Sequence, residues 1–172
     1  HGMRTDAERD AREALVERWF EGTGASYDRV VAWTTLGLDG RWKRAILAAL
    51  PERAERVLDL ACGTGIVLEQ LAKRYPDAEL VGVDLTEEYL DVARAKLAKI
   101  GVAATLVHAN AETAPLEGKF DAVCSSYLPK YVDADRLIDH LTPHVAPGGT
   151  VAFHDFTYPK GLVPRWGWRV WM

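Results

Sequence analysis

The chain has little cysteine. Cys62 and Cys124 are the only two in 172 residues. That excludes a secreted-type disulfide framework and predicts buried thiols in a reducing compartment, with the cytoplasm as the expected location. Two thiols with the scattered His108 and His154 are too few for a metal site, and none is expected. No apolar run approaches the roughly 18 residues needed to cross a bilayer. The polar, charged N-terminal stretch does not read as a signal peptide. Positive charge is not in excess: 21 Lys and Arg against 25 Asp and Glu give a net charge of -4. There is thus no electrostatic footprint for nucleic acid. Internal repeats, low-complexity stretches and linkers are also lacking. What remains is an ordinary globular mixture, 48% apolar and 27% charged, long enough for one sizeable core.

Residues 3–50 read as helical and are expected to form an N-terminal cap on the same domain. Helical patterns run from Ala7 to Phe20, Tyr27 to Leu36 and Arg41 to Leu50, with breaks at Gly22–Ser26 and Gly37–Gly40. From residue 51 the pattern alternates. Short apolar runs at Arg56–Ala61, Glu79–Asp84, Ala104–Ala109, Phe120–Ser125 and Thr150–Phe156 read as strands buried on both faces. Helical patterns occupy Ile66–Arg74, Glu87–Ile100 and Asp133–Val145, the last expected to be kinked or shortened by Pro143. Pro147-Gly148-Gly149 reads as a turn ahead of the fifth strand. The alternation predicts an α/β fold: a Rossmann-like, mostly parallel sheet with helices on both faces.

In such open sheets ligands bind outside the carboxyl ends of the strands. The polar residues of interest all fall there, at Asp59–Gly65, Asp84, His108–Glu112, Cys124–Tyr127 and His154–Phe156. The run Val57-Leu58-Asp59-Leu60-Ala61-Cys62-Gly63-Thr64-Gly65 is a strand ending in a glycine turn. Gly63 and Gly65 let backbone approach a ligand closely. Asp84, closing the second strand, can accept both hydroxyls of a ribose. The neighbouring motifs are excluded. A dinucleotide fingerprint wants a small residue where Leu68 stands, and no Lys-Ser/Thr follows as in a P-loop. Asp59 reads equally as a buried structural acid and as a group orienting an ammonium. His140 and His144 lie at i, i+4 spacing, which more often marks a solvated helix face than a metal site.

These nine residues closely resemble the first motif of class I S-adenosylmethionine-dependent methyltransferases. The strand-end acid, Asn110-Ala111-Glu112 and Pro147-Gly148-Gly149 extend the resemblance over residues 27–158. Tyr27-Asp28 and Leu36–Arg44 are similar to the N-terminal part of the ubiquinone/menaquinone-biosynthesis C-methyltransferases. The resemblance implies S-adenosyl-L-methionine as cofactor, with S-adenosyl-L-homocysteine as product. It puts Thr64, Asp84, Asn110, Ala111 and Ser126 on cofactor-contacting positions. Asp59, Ala61, Gly63, Gly65 and Leu85 flank these and complete the expected cofactor-binding set. Two departures stand out. Asn110 replaces the family's usual Asp, and Asn can still accept from an adenine amino group while donating to a ring nitrogen. Tyr127–Val132 replaces the family's Arg-Asn pair on the acceptor side, which weighs against a quinone acceptor.

The function expected is methyl transfer to a small-molecule or lipid-like acceptor, including C-methylation of a quinone precursor. The alternatives are O- or N-methylation, phospholipid head groups included, and a cofactor-binding but catalytically incomplete fragment. Where a base is needed, His154 and Asp155 are the first candidates and Tyr27 the next. The family continues past the fifth strand with a further helix and an antiparallel hairpin. Residues 51–172 are therefore expected to be a core truncated at its C-terminus, with the hairpin missing. The fifth strand would then be an open edge that favours homo-oligomers through that edge or the Trp166–Trp171 tail.

Overall fold

The computed structural model describes residues 39–126, 128 and 132–154. The elements are helix α1 (Asp39–Ala49), strand β1 (Arg56–Leu60), α2 (Ile66–Arg74), β2 (Glu79–Asp84), α3 (Glu87–Lys99), β3 (Thr105–His108), β4 (Phe120–Ser126), α4 (Ala134–Leu141), a 3₁₀ turn (Thr142–His144) and β5 (Val145–His154). The five strands form one sheet in the order β3-β2-β1-β4-β5, and every pairing is parallel. The chain winds outward from β1 through β2 to β3, then returns to the other side of β1 with β4. This reversal is the topological switch point at which open α/β sheets form a crevice.

Alternation along β1 divides the core. Val57 belongs with Leu68, Leu71, Leu90, Ala122 and Cys124, a cluster completed by Ile46 and Leu50 from the α1 region. Leu58 and Leu60 belong with Val81, Val83, Phe120, Val123, Leu137 and Leu141 on the other face. Helices α1, α2 and α3 therefore cover one face and α4 covers the other. Each fully buried Leu contributes about 2–3 kcal/mol of transfer free energy, which explains strands that read as unbroken apolar runs. In α2 the buried set Val67, Leu68, Leu71 and Ala72 has helical spacing. In α3, Glu87 and Glu88 open the helix and Lys96 and Lys99 close it, each favourable toward the helix dipole.

The strand ends away from the crevice are fastened together. Asp121 accepts the backbone N–H groups of Glu55 at 2.8 Å and Arg56 at 3.0 Å. Arg56 grips Glu79 through Nε at 2.7 Å and Nη2 at 3.0 Å, donates to Glu117 O at 2.8 Å and lies over the Phe120 ring. That end is a structural clamp, so the opposite end is left for ligand.

The helix expected over 133–145 is shortened at Pro143, as anticipated: α4 stops at Leu141 and Pro143 sits within the following 3₁₀ turn, because proline removes the N–H that an α-helix needs there. Another expectation needs correction. The fifth strand starts at Val145 rather than Thr150, so Pro147-Gly148-Gly149 lies inside it. Between the pairs Phe120↔Val145 and Ala122↔Thr150 the register breaks. Pro-Gly-Gly therefore turns the backbone within the strand, as a bulge, with Gly148 at φ +78°. Among the described residues β5 pairs on one side only, with β4. The helices expected over 7–20 and 27–36 lie outside the described residues.

Candidate cofactor site

The turn after β1 is built from unusual backbone. Ala61, Gly63 and Gly65 have φ of 54°, 53° and 80°, the left-handed region that side chains disfavour. Among the described residues Ala61 is the only non-glycine with positive φ. The turn is pinned on both sides. Cys62 N–H donates to Val83 O at 3.0 Å and Gly65 N–H donates to Cys62 O at 3.0 Å. The two glycines have different reasons to be glycine. A methyl group on Gly65 would lie 2.9 Å from Ala93 Cβ, so this glycine lets α3 pack against the start of α2. A methyl group on Gly63 would meet nothing within 4 Å, so this glycine borders open space. Thr64 between them is buried.

Asp84 at the end of β2 holds this turn. Its Oδ2 accepts Gly63 N–H at 2.8 Å and its Oδ1 accepts Thr86 N–H at 2.9 Å. A carboxylate offers about four acceptor sites, so each oxygen retains capacity for a further donor. Burial pushes the Asp84 carboxyl above its ordinary value, against the lowering pull of the bonds from Thr86 and Gly63 and the charge of His108. Leu85, next in the chain, meets His108 Nε2 through its carbonyl at 2.7 Å. Ala109 N–H donates to Asp84 O at 3.0 Å, which brings the residues after β3 alongside. There Asn110 Oδ1 accepts Glu112 N–H at 2.8 Å and Ala111 is buried. One lone pair of the Asn110 side-chain carbonyl is thus committed to its own turn.

Asp59 lies in β1 with only 1% of its surface exposed. Its register partners are Gly82 in β2 and Cys124 in β4. Cys124 Sγ is 3.6 Å from Oδ1, and Oδ2 is buried without a hydrogen bond. Burial raises the Asp59 carboxyl to about 7; the Cys124 thiol pulls it down, the charge of Asp84 raises it and that of Lys43 lowers it. Burial also drives the thiols of Cys62 and Cys124 up, so both stay protonated. A buried carboxylate oxygen without a donor is costly. It suits a cationic ligand group, and the structural reading of Asp59 as an acid satisfied by backbone amides does not hold.

Across the switch point, β4 ends with Ser125, whose Oγ donates to Leu60 O at 2.5 Å, and Ser126, whose Oγ is buried without a hydrogen bond. Ser126 pairs in register with His154 of β5. The structure therefore gathers Asp59, Ala61, Gly63, Thr64, Gly65, Asp84, Leu85, Asn110, Ala111, Ser126 and His154 along one edge of the sheet. Tyr27 and Asp155 lie outside the described residues. His140 and His144 do not face solvent freely: their rings meet Ala114 O at 2.9 Å and Gly118 O at 3.0 Å. The sequence puts Glu112 at this edge but does not show that it is buried, and it gives no sign of the buried Lys43. Nothing in their local pattern distinguishes them from solvated helix and loop charges.

A family model described as a methyltransferase domain matches residues 57–149, more than half of the chain. The demethylmenaquinone methyltransferase of Thermus thermophilus is 34% identical over 153 residues, covering 85% of this chain and 70% of that protein. The ubiquinone/menaquinone biosynthesis C-methyltransferase of Desulfotalea psychrophila is 32% identical over 146 residues, covering 84% of this chain and 59% of that protein. Among solved structures, an S-adenosylmethionine-dependent methyltransferase from Clostridium acetobutylicum superposes with a TM-score of 0.60 at 25% identity, over 69% of this chain and 51% of that one. The chain thus spans about half the length of that enzyme. No helix among the described residues is long and apolar enough to cross a membrane. The chain belongs to the S-adenosylmethionine-dependent methyltransferases, in the branch that includes the ubiquinone/menaquinone-biosynthesis C-methyltransferases.

Proposed function

We propose that this chain binds S-adenosylmethionine along the switch-point edge and transfers its methyl group to a small-molecule or lipid-like acceptor. The observation that carries the reading is the pairing of Asp84, whose two oxygens keep acceptor capacity beside the open face of Gly63, with the unsatisfied Oδ2 of Asp59. Asp84 is assigned the ribose hydroxyls. Asp59 is assigned the ammonium end. Gly63, Thr64 and Gly65 form the backbone cradle between them, with Ala61 and Leu85 at its margins. Asn110 and Ala111 are assigned the adenine, and Ser126 the opposite wall. When bound, S-adenosylmethionine supplies a methyl group on a sulfonium sulfur. The chain's own contribution is to align the acceptor with that methyl and exclude water.

An acidic carbon or phenol acceptor must also lose a proton. His154, at the end of β5 and opposite Ser126 in register, is assigned that role, with Asp155 and then Tyr27 as the further candidates. A quinone precursor is the acceptor class suggested by the curated relatives, which are named as menaquinone and ubiquinone methyltransferases. The unpaired, buried Cys62 and Cys124 suit a reducing cytoplasm. Thermal unfolding with S-adenosylhomocysteine and with NAD tests the cofactor: only the former should raise the midpoint. Labelled-methyl transfer to demethylmenaquinone, phosphoethanolamine and simple phenols then separates C-, N- and O-methylation. Binding without transfer to any of them points to a cofactor-binding fragment.

A further inference from the structure

Glu112 is buried, with 6% of its surface exposed, although it lies in a loop where glutamate is ordinarily solvated. It connects two parts of the site that are remote in sequence. Its backbone N–H donates to Asn110 Oδ1 at 2.8 Å, within the turn assigned to the adenine. Its side-chain Oε1 accepts the backbone N–H of Asp133 at 2.7 Å, and its Oε2 lies 4.0 Å from Arg136 Nε. Asp133 in turn caps α4, its Oδ1 accepting from Asp135 N–H at 3.2 Å and Arg136 N–H at 3.4 Å. One continuous series of hydrogen bonds thus runs from the Asn110 side chain through Glu112 to the first turn of α4. That turn opens the first described element after β4, which ends at Ser126. A charged acceptor on a backbone N–H gives a bond worth more than a neutral one, and burial shields it from competing water.

We propose that Glu112 is a positioning residue that couples occupancy of the cofactor site to the geometry of the α4 N-terminus, and so prepares the acceptor side once the cofactor is bound. The proposal rests on the cofactor reading above. A ligand that engages Asn110 and Ala111 restricts their turn. The restriction passes to the Glu112 backbone, fixes its carboxylate, and tightens the bond to Asp133. The enzyme would then bind cofactor first and acceptor second. Differential rigidity of this kind is a legitimate carrier of coupling when it has a readout.

The readout is amide hydrogen exchange of the full chain, with S-adenosylhomocysteine as the probe. In the wild-type protein the probe should slow exchange at Asn110–Glu112 and also at Asp133–Leu137. Glu112→Gln keeps an acceptor for the Asp133 N–H and should preserve both effects. Glu112→Ala should bind the probe within about threefold of wild type and show slowed exchange at 110–112, but no probe-induced change at 133–137. A Glu112 that only stabilises the fold would lower protection at 133–137 equally with and without the probe and leave the increment intact, which would overturn the coupling. So would a wild-type protein protected at 110–112 and unchanged at 133–137, whatever the variants do. Failure of the wild-type protein to bind the probe would instead refute the cofactor reading itself.

Discussion

Asp59→Asn should change how stability depends on pH, because it removes a buried carboxyl whose folded form favours the neutral acid. The group rises from 3.8 to about 7 on folding, chiefly through burial. An acid with a raised folded pKa supports folding while protonated and opposes it once ionised. Its contribution is intact below pH 3.8 and falls as the pH climbs toward 7. A rise of about three units at ~1.4 kcal/mol each makes the whole loss ~4 kcal/mol, of which roughly 2–3 kcal/mol falls between pH 5 and 7. Urea unfolding at half-unit intervals from pH 5 to 8 measures it. The wild-type free energy should decline over that range more steeply than that of the Asn variant, by about 2–3 kcal/mol in all. Asp84 also titrates above its ordinary value; it is present in both proteins, so only its charge interaction with Asp59 enters the difference. The same carboxyl, if it meets the ammonium end of the cofactor, must ionise on binding. S-adenosylhomocysteine should therefore bind more tightly as the pH rises from 5 to 7, by up to about fiftyfold, and the Asn variant should lose that dependence. Parallel stability curves for the two proteins would refute the reasoning.

The two turn glycines should respond differently to the same substitution. Gly65→Ala drives a methyl into Ala93 and should destabilise by about 1–3 kcal/mol, read as a lowered unfolding midpoint. Gly63→Ala meets no atom, so it should cost only about 1 kcal/mol for its positive φ while severely weakening S-adenosylhomocysteine binding by calorimetry. Equal midpoint losses, or unchanged affinity in Gly63→Ala, would contradict the assignment. Asp84→Ala removes the acceptor of Gly63 and Thr86 as well as the proposed ribose contact, and each charge-assisted bond lost is worth about 1.5–3 kcal/mol. Calorimetry should show at least a tenfold weaker complex.

The parts of this fold that were legible in the sequence are those governed by local rules. Glu79–Asp84 and Ile66–Arg74 were read to the residue, because a buried parallel strand and an amphipathic helix each carry a distinct period. The strand-end logic brings the polar candidates to one edge of the sheet without any contact information, since parallel α/β alternation puts every strand's carboxyl end on the same side. What was not legible depends on packing between distant segments. The Asp59–Cys124 contact needs the β1–β4 register. The burial of Glu112 needs α4 to close over the loop after β3. The start of β5 was misplaced because Pro-Gly-Gly is a turn signal, and only the partner strand reveals that pairing resumes on both sides of it. Nor does the sequence show that Gly65 also lets α3 pack against the turn, because that needs Ala93 brought beside it.

The bulge in β5 has a practical consequence for anyone building on this scaffold. The six residues from Val145 to Thr150 on one strand span only the three from Phe120 to Ala122 on the other, so the surplus backbone is accommodated outside the ladder. Gly148 has no atom within 4 Å of where a side chain would start, whereas Gly149 faces the carbonyls of Ala146 at 2.9 Å and Phe120 at 3.1 Å. Extra residues beside Gly148 would lengthen a loop whose ends are already tied, at a small entropic cost that grows only slowly with length. Beside Gly149 they would wedge the two strands apart. A fluorophore or an affinity handle spliced in at Gly148 would precede the paired run Thr150–His154, and the register that pairs Ser126 with His154 would be left untouched.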